Sequence, residues 1–180
     1  SIISSKSNSL SLNYAKKSLD LLTKNYLLYL NKPNKNNSIS MLIGANLAGK
    51  AINISRTTAP HAVSYPFTYH YGISHGHAVA LTLEKFLKFN YFNKENCYCN
   101  FNLSKRYDII FEKTGTKNIL ELENFLISLK KKANLETDFS KLGIKNNKNI
   151  KKIISDVNEK RLKNNPIKLT KKDLEYIILS

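Results

Sequence analysis

Residues 57–90 read TTAPHAVSYPFTYHYGISHGHAVALTLEKFLKFN and contain all four histidines of the chain. Two of these, His61 and His75, are separated by a helix-compatible segment and by turn-prone residues around Gly72. A helix, a turn and a second helix of this length bring both imidazoles to one point, with Ser74 as the candidate N-cap of the second helix. The segment therefore predicts two adjoining helices, each with one histidine of the pair.

Histidines on neighbouring helices form a metal-ligand pattern, because neutral imidazole is the commonest protein ligand of first-row divalent metals. Two imidazoles also leave room around the metal for a carboxylate and a substrate oxygen. A second interpretation stays open on spacing alone, since a lone histidine on an apolar helix is often an ordinary core or surface residue. His61 and His75 are the candidate ligands.

The histidine segment resembles the signature of the iron-containing alcohol dehydrogenases. In that family two histidines have the spacing of His61 and His75, and the second begins, as part of a His-Gly pair, an Ala- and Leu-rich helix that ends in an aromatic-Asn pair. Here His75 is followed by Gly76, and Phe89-Asn90 closes the segment in the same register. The small-residue stretch 45–49 and the ending from Leu162 onward also fit the family, so the resemblance spans nearly the whole chain.

This resemblance implies a function and a set of site residues. His61 and His75 fall on the family's last two metal-ligand positions, with Fe²⁺ as the implied metal and Zn²⁺ as a substitute. The implied activity is hydride transfer between NAD(P) and a small alcohol or aldehyde, which the metal polarises. The departure Ser64-Tyr65-Pro66 suggests a branch similar to the reductases of small phosphonate aldehydes. Family members are commonly dimers or larger, which makes a homodimer one expected assembly, although no feature of the sequence fixes the number of subunits.

Tyr65 stands where many family members carry another active-site histidine. A tyrosine hydroxyl donates a hydrogen bond or relays a proton, but tyrosine is a poor base at neutral pH. Tyr65 is therefore the candidate catalytic residue, which would orient the substrate or move a proton. Of the other histidines, His70 is expected at the surface, with a position in the cleft near the metal as the alternative, and His77 is expected to project away from His75 on the same helix. We expect a turn at Gly72 and a close helix approach at Gly76.

The family's remaining two ligands, an aspartate and a histidine one helical turn apart, lie upstream of any position here. No histidine precedes His61, and no aspartate precedes Asp20. No strand, Gly-rich loop and helix of the dinucleotide-binding type is recognisable in the sequence. We expect residues 1–180 to be one C-terminal helical domain that lacks the N-terminal dinucleotide-binding domain and is inactive without it. A helical interaction module from a split or decayed gene is the alternative.

The formal net charge of +16 would ordinarily indicate a nucleic acid or an acidic membrane as partner. Arginine, which is preferred for bidentate phosphate contacts, occurs only at Arg56, Arg106 and Arg161. The lysines are spread among many asparagines and isoleucines, which is typical of AT-rich coding sequences. We therefore expect no nucleic-acid partner, with a basic nucleic-acid-binding helical domain as a further alternative. The charge still favours an anionic substrate or a dinucleotide phosphate.

The sequence shows neither a long apolar run nor a charged-then-apolar leader, so we expect no membrane segment and a cytoplasmic protein. Cys97 and Cys99 are too few for a structural zinc site and are expected to be free thiols. A chain of 180 residues with 42% hydrophobic composition is long enough to bury a core, and one domain is the natural count.

Apolar residues recur at spacings of three and four along most of the chain, which predicts an all-α helical bundle. The second predicted helix begins at Ser38 or Ser40, and its small residues are expected to pack centrally. The third is capped by Thr57 or Thr58, and Pro66 is expected to kink it or end it. Further helices are predicted over residues 9–30, 75–92, 104–113, 119–129, 137–143, 147–158 and 170–179, with no strand.

Overall fold

The computed structural model describes all 180 residues and contains helices joined by turns, without a strand. The prediction of an all-α bundle is confirmed. None of the helices combines the length and the hydropathy that a membrane span requires. The ten α-helices are α1 (Ser9–Asn31), α2 (Lys35–Ser55), α3 (Ala59–Tyr71), α4 (His75–Ala80), α5 (Leu83–Phe92), α6 (Leu103–Thr114), α7 (Ile119–Lys132), α8 (Asn147–Ser155), α9 (Glu159–Leu162) and α10 (Lys171–Leu179), with a 3-10 turn at Lys94–Asn96.

Helices α1 and α2 form a long antiparallel hairpin. The predicted start of α2 at Ser38 or Ser40 is wrong, because Asn34 caps the helix one turn earlier. Its side-chain oxygen accepts hydrogen bonds from the backbone N–H groups of Asn36 and Asn37, each at 3.0 Å. The Asn37 side chain in turn accepts from the Asn34 N–H, so the two residues form a reciprocal cap.

The two helices of the hairpin approach closely at Gly44. A Cβ atom at that position would lie 2.8 Å from the Leu22 side chain, so only glycine fits there without a shift. Ser18 donates a 2.8 Å hydrogen bond to the Gly44 carbonyl across the same contact. The prediction that α2 packs centrally is wrong, since Leu42 is 70% exposed and Ile43 is 49% exposed. The hairpin lies at the edge of the molecule.

Helix α3 continues through Pro66, so the alternative in which this proline ends the helix is wrong. The helix ends at Gly72, where a turn was expected; the positive φ of 66° suits glycine, and the Gly72 N–H donates to the Thr68 carbonyl. The predicted helix 75–92 is divided at Thr82, where φ is −126° and ψ is −4°. Phe86, one turn after this break, is completely buried in the core.

The predicted helix 137–143 is a series of turns. Glu136 accepts hydrogen bonds from the backbone N–H groups of Thr137 and Asp138, and Asp138 accepts one from the Ser140 N–H. Such local side-chain bonds offer the backbone an alternative to helical pairing. The segment then turns at Gly143, which has a φ of 87°. Helix α9 was not predicted, and it carries a residue of the site.

Two apolar clusters support the bundle. The first surrounds α3 with side chains from α4, α5, α8 and α10, and the second joins Ile2 and Ile3 to α1, α2, α6 and α7. Phe89 packs against both. The buried face of α3 carries Ala59, Ala62, Val63, Pro66 and Phe67. Its opposite face is therefore free to project side chains into an open cleft.

Candidate active site

The amino-terminal half of α3 presents His61 and Tyr65 on one face, because residues four apart are neighbours along a helix. His61 is partly buried, and Tyr65 is 42% exposed. The turn after Gly72 reverses the chain and places His75 at the first position of α4. The Ser74 carbonyl accepts the first helical hydrogen bond, but the Ser74 side chain caps nothing, contrary to the prediction.

The structure brings His61 and His75 together. The His61 Nδ1 atom lies 3.1 Å from the His75 Nε2 atom, and the centroids of the two rings are 5.1 Å apart. The Tyr65 ring lies beside them, with its centroid 5.3 Å from that of His75. The three residues singled out in the sequence are thus neighbours in space.

Ser64 orients the His75 ring and was missed in the sequence. Its hydroxyl donates its single proton to the His61 carbonyl at 2.8 Å, and its oxygen lies 3.2 Å from the His75 Nδ1 atom. Because the proton is already engaged, the Ser64 oxygen accepts from the Nδ1–H of His75. This arrangement leaves the lone pair of His75 Nε2 directed toward His61, as in metal sites where a second group fixes the tautomer.

Electrostatics keep His61 neutral. Burial first, and then the repulsion that a protonated His75 ring would exert, lower the pKa of His61 to about 4. A neutral imidazole retains the lone pair that a metal ion requires. At neutral pH the geometry and the protonation state both suit coordination.

The imidazole pair fits two positions of a metal site. Two nitrogens bound to one tetrahedral zinc ion, each at about 2.1 Å, lie about 3.4 Å apart, which is close to the 3.1 Å separation of His61 Nδ1 and His75 Nε2. No aspartate, glutamate, cysteine or further histidine joins the pair to make a group of three. The donor set of this chain therefore supplies two ligands.

Cationic side chains surround the pair in a cleft of about 640 Å³. Arg161, at the end of the short helix α9, donates a 2.7 Å hydrogen bond to the Tyr65 hydroxyl and lies 4.3 Å from the centre of its ring. The Tyr65 oxygen accepts this bond, so its own proton is free to point into the cleft. The remaining cations that line the cleft are Lys6, Arg56 and Lys160. A separate, more apolar cavity of about 520 Å³ between α8 and α10 contains no histidine.

The other two histidines have protein partners away from the cleft. His70 Nε2 lies 2.6 Å from the Asp156 carboxylate on the segment after α8. The His70 side chain is only 13% exposed, so it is not the ordinary surface group that was expected. His77 Nε2 lies 2.6 Å from the Glu136 carbonyl oxygen, which confirms that this ring projects away from His75. The expected close helix approach at Gly76 is wrong, since no atom would lie within 4 Å of a Cβ there.

The two cysteines are free thiols, as expected. Burial, followed by interaction with Cys97, raises the pKa of Cys99 to about 12. A thiol that stays protonated at neutral pH is a poor nucleophile. Cys99 is therefore not a candidate nucleophile.

Residues 2–180 match the C-terminal domain of the Fe-containing alcohol dehydrogenase family. The chain belongs to this family, which confirms the assignment made from the histidine segment. Among curated proteins, the phosphonoacetaldehyde reductase of Streptomyces viridochromogenes is 43% identical over 47 residues, which are 26% of this chain and 12% of that protein.

Solved structures share the fold. The sulfoacetaldehyde reductase of Bifidobacterium kashiwanohense, in complex with NAD⁺, aligns with a TM-score of 0.83 at 23% identity, over 98% of this chain and 45% of that one. The alcohol dehydrogenase of Oenococcus oeni aligns with a TM-score of 0.86 at 17% identity, over 99% of this chain and 46% of that one. The chain spans less than half the length of these relatives.

Proposed function

We propose that this chain is the metal-binding and substrate-binding part of an NAD(P)-dependent alcohol dehydrogenase that interconverts a small aldehyde and its alcohol. The observation that carries the proposal is the convergence of His61 Nδ1 and His75 Nε2 at 3.1 Å in a family defined by its iron content. Ser64 supports it, because its contact leaves the His75 Nε2 lone pair directed toward His61.

In this proposal His61 and His75 hold a divalent cation, Fe²⁺ by family membership or Zn²⁺ as a substitute. The other ligands and the dinucleotide site come from a partner domain, since the solved relatives are more than twice as long as the part that aligns. When bound, the metal supplies a Lewis acid for the substrate oxygen and the nicotinamide supplies or accepts a hydride.

Tyr65 is the candidate catalytic residue of the chain itself. Its hydroxyl accepts from Arg161 and keeps its proton for donation to the substrate oxygen. A hydrogen bond that strengthens as negative charge develops on that oxygen stabilises the transition state more than the bound substrate. Arg161 positions this hydroxyl from the side opposite the donated proton.

Metal titration tests the proposal on the chain by itself. We expect saturable, weak Zn²⁺ binding in isothermal titration calorimetry, with affinity reduced by about tenfold or more in His61→Ala and in His75→Ala, because each variant removes one of two ligands. The matched controls His70→Ala and His77→Ala should retain the affinity of the wild-type chain.

The proposal fails if all four variants bind Zn²⁺ alike, or if the wild-type chain binds none. No binding at all would favour a helical interaction module. We also expect the chain alone to oxidise NADH at the background rate with any aldehyde, since it contributes only two ligands and contains no strand from which a dinucleotide-binding unit could be built.

A further inference from the structure

We propose that Arg56 and Arg161 form a subsite for a tetrahedral oxyanion, a phosphonate or sulfonate group carried by the substrate. The inference rests on the proposed function for the assignment of an aldehyde or alcohol as the reacting group of the substrate. The subsite itself consists of residues that are not candidate metal ligands. Both arginines line the cleft that contains His61 and His75.

The placement of arginine in this chain is selective. Only three arginines occur among 29 Lys and Arg residues, and two of the three line one cleft. The third, Arg106, packs on the Phe101 ring with its Cζ atom 4.5 Å from the ring centre. Arginine presents a planar fork of N–H donors that matches two oxygens of a phosphonate or sulfonate, whereas lysine acts as a point charge.

The backbone at Arg56 is strained. Its φ of 61° and ψ of −176° lie in a region that is essentially reserved for glycine. The Arg56 N–H donates to the Ile52 carbonyl, and the Ser55 hydroxyl, which donates to the Ala51 carbonyl at 2.9 Å, also lies 3.1 Å from the Arg56 carbonyl. Glycine would remove the strain, but it would also remove a guanidinium from the lining of the cleft. Such strain at a non-glycine residue points to a role for its side chain.

The second arginine connects the subsite to the imidazole pair. Arg161 contacts Tyr65, and the Tyr65 ring contacts His75. One hydrogen bond to Tyr65 uses only part of the donor capacity of a guanidinium, which has five N–H groups. An oxyanion bound to Arg161 would therefore be separated from His75 only by the Tyr65 side chain. This arrangement suits a short substrate.

The charge of the cleft is uncompensated. Its lining includes Lys6, Arg56, Lys160 and Arg161, and no aspartate or glutamate. None of these four cations forms an ion pair with a carboxylate. Like charges held in one concavity repel, and an anion that enters relieves this repulsion. The cleft of about 640 Å³ suits a small molecule.

Anion binding to the whole 180-residue chain provides the test. Methylphosphonate and methanesulfonate are titrated separately while amide shifts are followed by NMR, which measures weak affinities. We expect saturable shifts around the cleft for at least one probe, with affinity at least tenfold lower in Arg161→Gln and in Arg56→Gln. Lys131→Gln, which removes an exposed charge on α7, should change the affinity less than twofold.

Arg56→Gly gives a sharper result, because it separates strain from binding. The variant should melt at a higher temperature than the wild-type chain, since glycine adopts this φ freely, and it should still lose at least tenfold in anion affinity. A purely structural role for Arg56 predicts no loss of anion affinity in this variant.

The two proposals fail separately. Zn²⁺ affinity should be unchanged in the arginine variants, and probe affinity should be unchanged in His61→Ala. The subsite is refuted if neither probe binds, if the arginine variants bind both probes as the wild-type chain does, or if adenosine diphosphate binds at the cleft and the two small probes do not. That last result would assign the cations to cofactor phosphates.

Discussion

The two ends of α3 each carry a histidine, and the partners of the two rings differ. At the cleft end, His61 faces the imidazole of His75 with no carboxylate in reach. At the far end, His70 faces the carboxylate of Asp156 and links α3 to the end of α8. A histidine with a carboxylate partner has its hydrogen-bonding need met by the protein, whereas two neutral imidazoles share only one proton between facing nitrogens.

Helix α4 repeats this contrast over two residues. His75, at the start of the helix, faces His61, and His77 faces the Glu136 carbonyl. Positions two apart on a helix project roughly 160° from each other, so only one of them reaches the cleft. The partner of each ring separates the candidate ligands from the structural histidines.

The largest expected effect comes from the core shared by both ends of α3. Phe67 lies between His61 and His70 and is completely buried. We expect Phe67→Ala to lower the free energy of unfolding by about 3–5 kcal/mol, through lost burial and the cavity left behind. Chemical denaturation measures this change. Phe92→Ala, at a position that is 64% exposed, is the matched control and should change stability by less than about 0.5 kcal/mol.

Ser64→Ala tests whether orientation of His75 matters at the cleft end. We expect Zn²⁺ affinity to fall by about tenfold in calorimetric titration, because groups that fix a ligand's tautomer contribute that much in known metal sites. The exposed Ser155→Ala provides the control and should bind as the wild-type chain does. Equal affinities in both variants would show that Ser64 does not position the ring.

His77→Ala tests the other member of the α4 comparison. Loss of its hydrogen bond to the Glu136 carbonyl should reduce the free energy of unfolding by about 1 kcal/mol. Zn²⁺ affinity should not change, since the ring lies away from the pair. A drop in affinity as large as that of His75→Ala would break the division between the two kinds of histidine.

Asp156→Asn has the smallest expected effect, because the carboxylate lies at the surface. The hydrogen bond from His70 lowers the pKa of Asp156. A carboxyl with a lowered folded-state pKa stabilises the fold above its ordinary pKa, and the stabilisation disappears as the pH falls through the lowered value. At pH 7 the variant should melt no more than about 2 °C below the wild-type chain.

As the pH falls toward the lowered pKa of Asp156, the difference in melting temperature between the variant and the wild-type chain should shrink. Melting curves recorded from pH 7 down to about pH 3 measure this trend. A difference that grows as the pH falls would contradict the assignment of the ion pair to His70 and Asp156.

The spacing of His61 and His75 together with the resemblance to the family's histidine signature predicted that the two rings meet, which the structure shows. Apolar periodicity predicted α1, and the candidate cap at Thr58 and the glycine at 115 predicted the start of α3 and the end of α6. Residues whose role depends on distant partners were missed. Arg161 lies 96 residues from Tyr65 in sequence, and neither its spacing nor its surroundings indicate their hydrogen bond.

The charged residues show the same limit. Lys130, Lys131 and Lys132 form a run in the last turn of α7, where Lys131 and Lys132 are exposed. Lys130 itself is buried and lies 2.5 Å from the buried carboxylate of Glu84 on α5. A buried ion pair forms only between helices that become neighbours. The pair of Glu84 and Lys130 therefore depends on the packing of α5 against α7, which the sequence of neither helix reveals by itself.

The ring nitrogens of all four histidines provide the most direct test of the central claim. Long-range ¹H–¹⁵N correlation spectra report the protonation and ligation of each imidazole nitrogen, and they are recorded before and after addition of Zn²⁺. We expect the signals of His61 Nδ1 and His75 Nε2 to shift together, while the signals of His70 and His77 keep their positions. Shifts confined to His70 or His77, or an unchanged His61–His75 pair at saturating Zn²⁺, would contradict the account.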